Sequence, residues 1–92
     1  MEVLQDDNGK KGKFYILENG MQAAKMTYTW AATERIIIDH TEVNEVLKGK
    51  SAGKQMVLKA VEFAREKGIK IFPLCPFAKS VFDKVSEIRN VL

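Results

Sequence analysis

The chain has 92 residues, 46% hydrophobic and 29% charged, which suits one domain with one core and is too apolar for a disordered segment. Fifteen Lys and Arg against 12 Asp and Glu leave a net charge of +3, enough to favour an anionic ligand but too small and dispersed for a nucleic-acid surface. The single Cys excludes an internal disulfide, and with a single His it removes the donors of a structural zinc site, so no metal is expected.

Met1 to Asp6 reads as a short first strand with Val3 as its best core candidate. Asp7-Asn8-Gly9 and Lys10-Lys11-Gly12 then read as a loop, because Asn-Gly tolerates the positive φ of tight turns. Lys13 to Glu18 has the aromatic and β-branched content of a strand, and Asn19-Gly20 is a hairpin signal. The returning strand, Met21 to Trp30, alternates: Ala24, Met26, Tyr28 and Trp30 share one face, and Ala23, Lys25, Thr27 and Thr29 the other. After a turn over Thr29 to Glu34, Arg35 to Thr41 returns. Its run of Ile36, Ile37 and Ile38 predicts a central strand buried on both faces.

Ser51 to Lys67 carries a helical apolar stripe of Ala52, Met56, Ala60 and Ala64, flanked by Val57, Leu58 and Val61. Ser51 is the expected N-cap and Gly68 the expected stop. Ile69 to Phe72 is a short strand limited by Pro73, and a last helix starts near Pro76 with Ala78, Val81, Phe82, Val85 and Ile88 on its apolar side. Strand, crossover helix and strand form a right-handed βαβ unit with parallel strands. The fold class is α+β: a mixed sheet with an antiparallel meander of about four strands, then helix, strand, helix.

The stretch Arg35 to Lys54 joins a strand to the long helix through a turn rich in Gly and Lys. Its free N–H groups, the positive helix end and the lysines suit a phosphate, while an ordinary β-to-α turn with solvated lysines is the alternative.

This order of elements resembles the GCN5-related N-acetyltransferases. Their phosphate turn reads Arg or Gln, two residues, Gly, one residue, then Gly or Ala, at the start of the long helix. Lys48-Gly49-Lys50-Ser51-Ala52-Gly53 lies in that register, with Lys48 in place of Arg or Gln and Ser51 in place of the first of the two glycines. After the next strand the family carries Asn, Ala, Tyr and Lys, where Cys75, Ala78, Phe82 and Lys84 stand here. The Cys75 to Ala78 run, the His40 to Val43 run and the small size look like a compact subgroup of the family.

The resemblance implies acetyl-CoA as the ligand. Lys48, Gly49, Lys50, Ser51, Ala52, Gly53 and Lys54 would bind its pyrophosphate. The backbone of Ile38, Asp39, His40, Thr41, Glu42 and Val43 would pair with its pantetheine arm, between two splayed parallel strands. Cys75, Pro76, Phe77, Ala78 and Phe82 would complete the site. The implied reaction is acetyl transfer to an unknown amine, on a small molecule or a protein, with the acceptor pocket shallow or supplied by a partner.

Phe82 cannot donate the proton that the family's Tyr gives. Cys75, just before a helix, could instead act as a thiolate nucleophile, with His40 as its base or ion partner. A non-catalytic CoA-binding or protein-interaction module is the alternative function. No apolar run approaches the roughly 20 residues of a membrane span and no leader pattern opens the chain, so a cytoplasmic monomer without membrane contact is expected.

Overall fold

The computed structural model describes residues 1–92. Five strands, β1 (Leu4–Asp7), β2 (Lys11–Glu18), β3 (Met21–Ala31), β4 (Arg35–Val43) and β5 (Lys70–Pro73), form one sheet in chain order. Helix α1 (Ala52–Lys67) crosses from β4 to β5, and α2 (Pro76–Lys84) follows β5. Two 3-10 turns, Glu45–Leu47 and Ser86–Val91, were not foreseen from the sequence. Strands β1 to β4 pair antiparallel, and β4 pairs parallel with β5 from Arg35–Lys70 to Ile38–Pro73, as the crossover requires.

Both early turns are built by asparagine and glycine. Asn19 and Gly20 adopt φ 53 and 79, the left-handed pair of a two-residue hairpin. Between β1 and β2, the Asn8 side chain accepts from Lys10 and Lys11 N–H at 2.9 and 2.8 Å, and Gly9 takes φ 88. The expected loop is therefore shorter, and Lys11 and Gly12 already belong to β2. Gly12 has to be glycine: a Cβ there would lie 2.3 Å from Cζ of the buried Tyr28 ring and 2.7 Å from the Asp6 carbonyl. That ring is anchored at its hydroxyl, which donates to Asp7 at 2.5 Å and accepts from Gln5 at 2.9 Å.

The core lies on one face of the sheet. Phe14, Ile16, Met26, Tyr28, Ile36 and Ile38 meet Met56, Val57, Ala60, Val61 and Ala64 of α1, and Ala78, Val81 and Phe82 of α2 join the same cluster. The alanines bring the helix backbone close to the sheet, and Phe63 closes one side edge-on against Trp30 at 6.1 Å. No helix covers the opposite face. Ile37 is consequently only half-buried and its neighbour Phe72 is 49% exposed, which corrects the expected two-sided burial of β4. The strand is internal by pairing, but only one of its faces is roofed.

The C-terminus also departs from expectation. Val85 is extended (φ −115, ψ 92), so α2 stops at Lys84 and does not run on to Ile88. Arg89 donates to the Phe82 carbonyl at 2.7 Å and to that of Asp83, satisfying acceptors at the helix end. Ile88 and Val91 reach the core from the 3-10 turn instead. Arg65 of α1 bonds the Glu87 carbonyl and Asn90 side chain at 2.9 Å each, and Lys70 of β5 bonds the Asn90 carbonyl at 2.9 Å.

Pairing between β3 and β4 contains one irregularity that matters below. Thr27 pairs with His40 but Tyr28 pairs with Ile38, so Asp39 is an extra residue, a β-bulge.

Candidate functional site

Between β4 and α1 the chain makes a tight, donor-rich turn. Asn44 accepts the Val46 N–H at 3.2 Å and starts the 3-10 turn, which buries Leu47. Lys48 and Lys50 donate their N–H groups to the Glu45 and Leu47 carbonyls at 3.0 and 3.2 Å. Gly49 (φ 80) and Ser51 (φ 58, ψ 31) both take the left-handed conformation. Ser51 stands at the N-cap position, but its hydroxyl makes no capping bond, which corrects the expected cap. A side-chain cap requires extended backbone at that position, and Ser51 does not have it.

The N–H groups of Gly49, Ser51, Ala52, Gly53 and Lys54 are left without a protein acceptor. They sit at the positive end of a 16-residue helix, with no acidic residue in its first turn. These donors border a groove of about 400 Å³ between this turn, Val43 of β4 and one face of α2. Gly53 lets the helices close on it, since a Cβ there would lie 2.5 Å from the Phe77 ring.

Beside the groove β4 and β5 part company. Their pairing ends at Ile38–Pro73, so β4 from Asp39 to Val43 has no strand neighbour on that side. Cys75 is held where they separate, its N–H donating to the Ile38 carbonyl at 2.9 Å. Only 6% of Cys75 is exposed, and its Sγ lies 3.4 Å from the Thr41 hydroxyl. Burial pushes this thiol up. Hydrogen bonding by the Thr41 hydroxyl and the nearby amides of Ala78, Phe77 and Thr41 outweighs burial and leaves the thiol below its ordinary value. The helix amides do this without closing a formal cap bond on the sulfur.

The residues singled out from the sequence divide into groups. Val43, Lys48, Gly49, Ser51, Ala52, Gly53, Lys54 and Phe77 line the groove. Lys50 is an exposed residue of the turn, and Pro76 opens α2. Ile38, Ala78 and Phe82 are fully buried and support the walls from behind. Thr41 and Cys75 are brought together. His40 and Cys75 are not: His40 is exposed and its Nε2 lies 3.0 Å from Glu42 Oε1, while Asp39 receives the Thr27 and Thr29 hydroxyls. Lys25 adds to this pairing at 3.8 Å from Glu42, and the His40 contact followed by the Lys25 charge holds the Glu42 carboxyl low.

Sequence reading missed Leu47, Ser80, Val81, Lys84 and Val85, which also line the groove. Counting from Phe77 in steps of three, four and seven finds Ser80, Val81 and Lys84 on one helix face, a signal present in the chain but absorbed into the core reading. Neither tyrosine lines the groove where it could replace the acid that Phe82 cannot supply. Tyr28 is tied to Asp7 and Gln5, and Tyr15 stands half-buried on β2 beneath the Lys13 ammonium, 4.9 Å from its ring centre. The groups assembled here include no cluster of His, Cys, Asp or Glu able to hold a metal, and no helix is long and apolar enough to cross a membrane.

Comparison with known proteins gives consistent results. The family model for GCN5-related N-acetyl-transferase matches residues 13–91. The NMR structure of a GCN5-like protein from Staphylococcus aureus, classed as an N-acetyltransferase, is 36% identical. It aligns over 98% of this chain and 85% of its own, with a TM-score of 0.75. An aminoglycoside N-acetyltransferase solved with CoA (8% identity, 90% of this chain and 88% of that one, TM-score 0.65) shares the fold. So does a ribosomal-protein-alanine N-acetyltransferase from Brucella melitensis (12%, 85% and 62%, TM-score 0.66). No match is found among curated proteins.

Proposed function

The chain belongs to the GCN5-related N-acetyltransferase family, and from that premise we propose that it transfers the acetyl group of acetyl-CoA to an amine, with Cys75 carrying the group. The observation that carries this reading is the donor-rich turn at the head of α1, set beside a thiol with a lowered pKa. The unpaired N–H groups of Gly49, Ser51, Ala52, Gly53 and Lys54 would hold the pyrophosphate, aided by the charges of Lys48, Lys50 and Lys54. The free edge of β4 from Asp39 to Val43 would pair with the pantetheine amides as an added strand does, with Phe77 alongside; Ile38, paired with Pro73 and accepting from Cys75, is not free to do so. Bound there, acetyl-CoA supplies an acetyl thioester as electrophile.

Cys75, having lost its proton to solvent, attacks the acetyl carbon. A new C–S bond forms, the carbon's bond to the CoA sulfur breaks, and the CoA thiolate takes a proton from solvent. The amine lone pair then attacks the acetyl-Cys75 carbonyl, the amide bond forms, and the Cys75 thiolate is regenerated. The amine sheds its proton to solvent. His40, paired with Glu42 on the opposite face of the sheet from Thr41 and Cys75, is not placed to take it. The acceptor site would be shallow or completed by a partner.

In the sequence, Phe82, Ser51 and the small size of the chain favour the non-catalytic reading. Ser51 adopts the left-handed turn without glycine, and a thiol nucleophile needs no tyrosine acid, so the enzymatic reading is the better one. The test is intact mass after incubation with acetyl-CoA. One added acetyl group is expected on the wild type and none on Cys75→Ala. Transfer to a model amine at an unchanged rate in Cys75→Ala would replace the covalent route with direct transfer. Failure of CoA to shift the amides of residues 48–54 would overturn the cofactor assignment.

A further inference from the structure

Strict alternation along β4 would place His40, not Thr41, toward the helices, because Ile36 and Ile38 point there. The bulge at Asp39 exchanges them. Asp39 and His40 are exposed in succession, and Thr41, opposite the buried Met26, turns inward. Its hydroxyl arrives 3.4 Å from Cys75 Sγ, while the Ile38 carbonyl fixes the Cys75 backbone to the same strand.

We infer that Thr41 is the positioning residue of Cys75: its hydroxyl orients the sulfur and donates to the thiolate. The inference rests on Cys75 being the acetyl carrier. A hydroxyl can turn its hydrogen toward a thiolate and accept from a thiol, so one contact serves both protonation states. A hydrogen bond to a charged acceptor buried from water is worth more than one between neutral groups.

No ionised side chain competes for this role. From β4, His40 and Glu42 are paired with each other and Asp39 is held by Thr27 and Thr29, away from the thiol. From α2, Lys79 pairs with Asp83 at 3.3 Å and Lys84 borders the groove. From α1, Lys54 borders the groove, and from β5, Lys70 bonds the Asn90 carbonyl. The groups that act on the thiol are its burial, the Thr41 hydroxyl and the amides of Ala78, Phe77 and Thr41.

The experiment is a pH titration of the Cys75 13Cβ resonance in the free protein, where the single cysteine gives a single signal. Thr41→Val, which keeps the shape and removes the hydroxyl, is expected to raise the midpoint by about one pH unit. Thr41→Ser should stay within a few tenths of wild type, and the pH profile of Cys75 acetylation should move in parallel with the midpoint. Should Thr41→Val lose the native amide spectrum, Thr41→Ala is read the same way. An unmoved midpoint in a natively folded variant lacking the hydroxyl overturns the inference. Because the titration needs no acetyl-CoA, it is separable from the reading of Cys75. A midpoint that follows Thr41 in a protein that never takes up acetyl overturns the carrier role, not the contact.

Discussion

Replacing Ser51 by glycine should make the protein more stable. Ser51 is held at φ 58, ψ 31 with a hydroxyl that caps nothing. A non-glycine residue in the left-handed region costs roughly 1–2 kcal/mol, which glycine does not incur. Glycine also gains freedom in the unfolded chain, worth about 0.4–1 kcal/mol against the variant. The difference leaves about 0.5–1 kcal/mol in favour of Ser51→Gly. For a domain of this size that is a rise in Tm of roughly 3–6 °C, readable by circular dichroism. Calorimetric titration with CoA should show affinity unchanged within about threefold, because the proposed site binds through N–H groups that the substitution leaves in place. A lower Tm would refute the strain argument. A loss of affinity beyond tenfold would show that the hydroxyl itself is a ligand.

Two further outcomes follow from the first hairpin. Gly12→Ala would drive a methyl into the Tyr28 ring and the Asp6 carbonyl, and the ring is pinned by two hydrogen bonds. A cost of about 1–3 kcal/mol and a drop in Tm of roughly 10 °C is expected, and an unchanged melt would mean that the strands slide apart freely. Asp7 is raised by burial but lowered further by the Tyr28 hydroxyl, the Gly9 N–H, the Trp30 indole and the charge of Lys67, so its carboxyl is net depressed. Its stabilising effect is therefore present above the unfolded value near 4 and lost as pH falls through the lower folded value. Urea melts followed by the single tryptophan should show a shallower acid limb in Asp7→Asn, and parallel limbs would discount the cluster.

The path of the chain was legible because its signals were local. Asn19-Gly20 specified a hairpin, the alternation from Ala24 to Tyr28 specified which side chains face the core, and the spacing of Met56, Ala60 and Ala64 specified a helix; Ala23, expected on the wetter face, is buried as well. What failed depended on pairing between strands. The bulge at Asp39 arises from register against β3, and no property of Asp39 announces it. The consequence is that Thr41, and not the expected His40, meets Cys75. Ile37 failed for a related reason: a run of three isoleucines signals burial on both faces, but whether a second layer exists depends on the rest of the chain. The donor-rich turn at the head of α1 was legible from glycine and lysine spacing, whereas Ser80, Val81 and Lys84 were hidden because one face of α2 serves both the core and the groove.

The bonds that fasten the 3-10 turn at Ser86–Val91 to Arg65 and Lys70 have an effect at the other end of the molecule. Helix α2 is one wall of the groove, and it is tethered twice: by the Cys75 amide on β4 at its head, and by Arg89 and the C-terminal turn at its foot. Tethers at both ends resist a hinge motion of this wall. A ligand entering the groove then meets a largely preformed slot, which lessens the ordering of protein that opposes binding. Discrimination between ligands then comes from fit to a rigid aperture and not from closure around them.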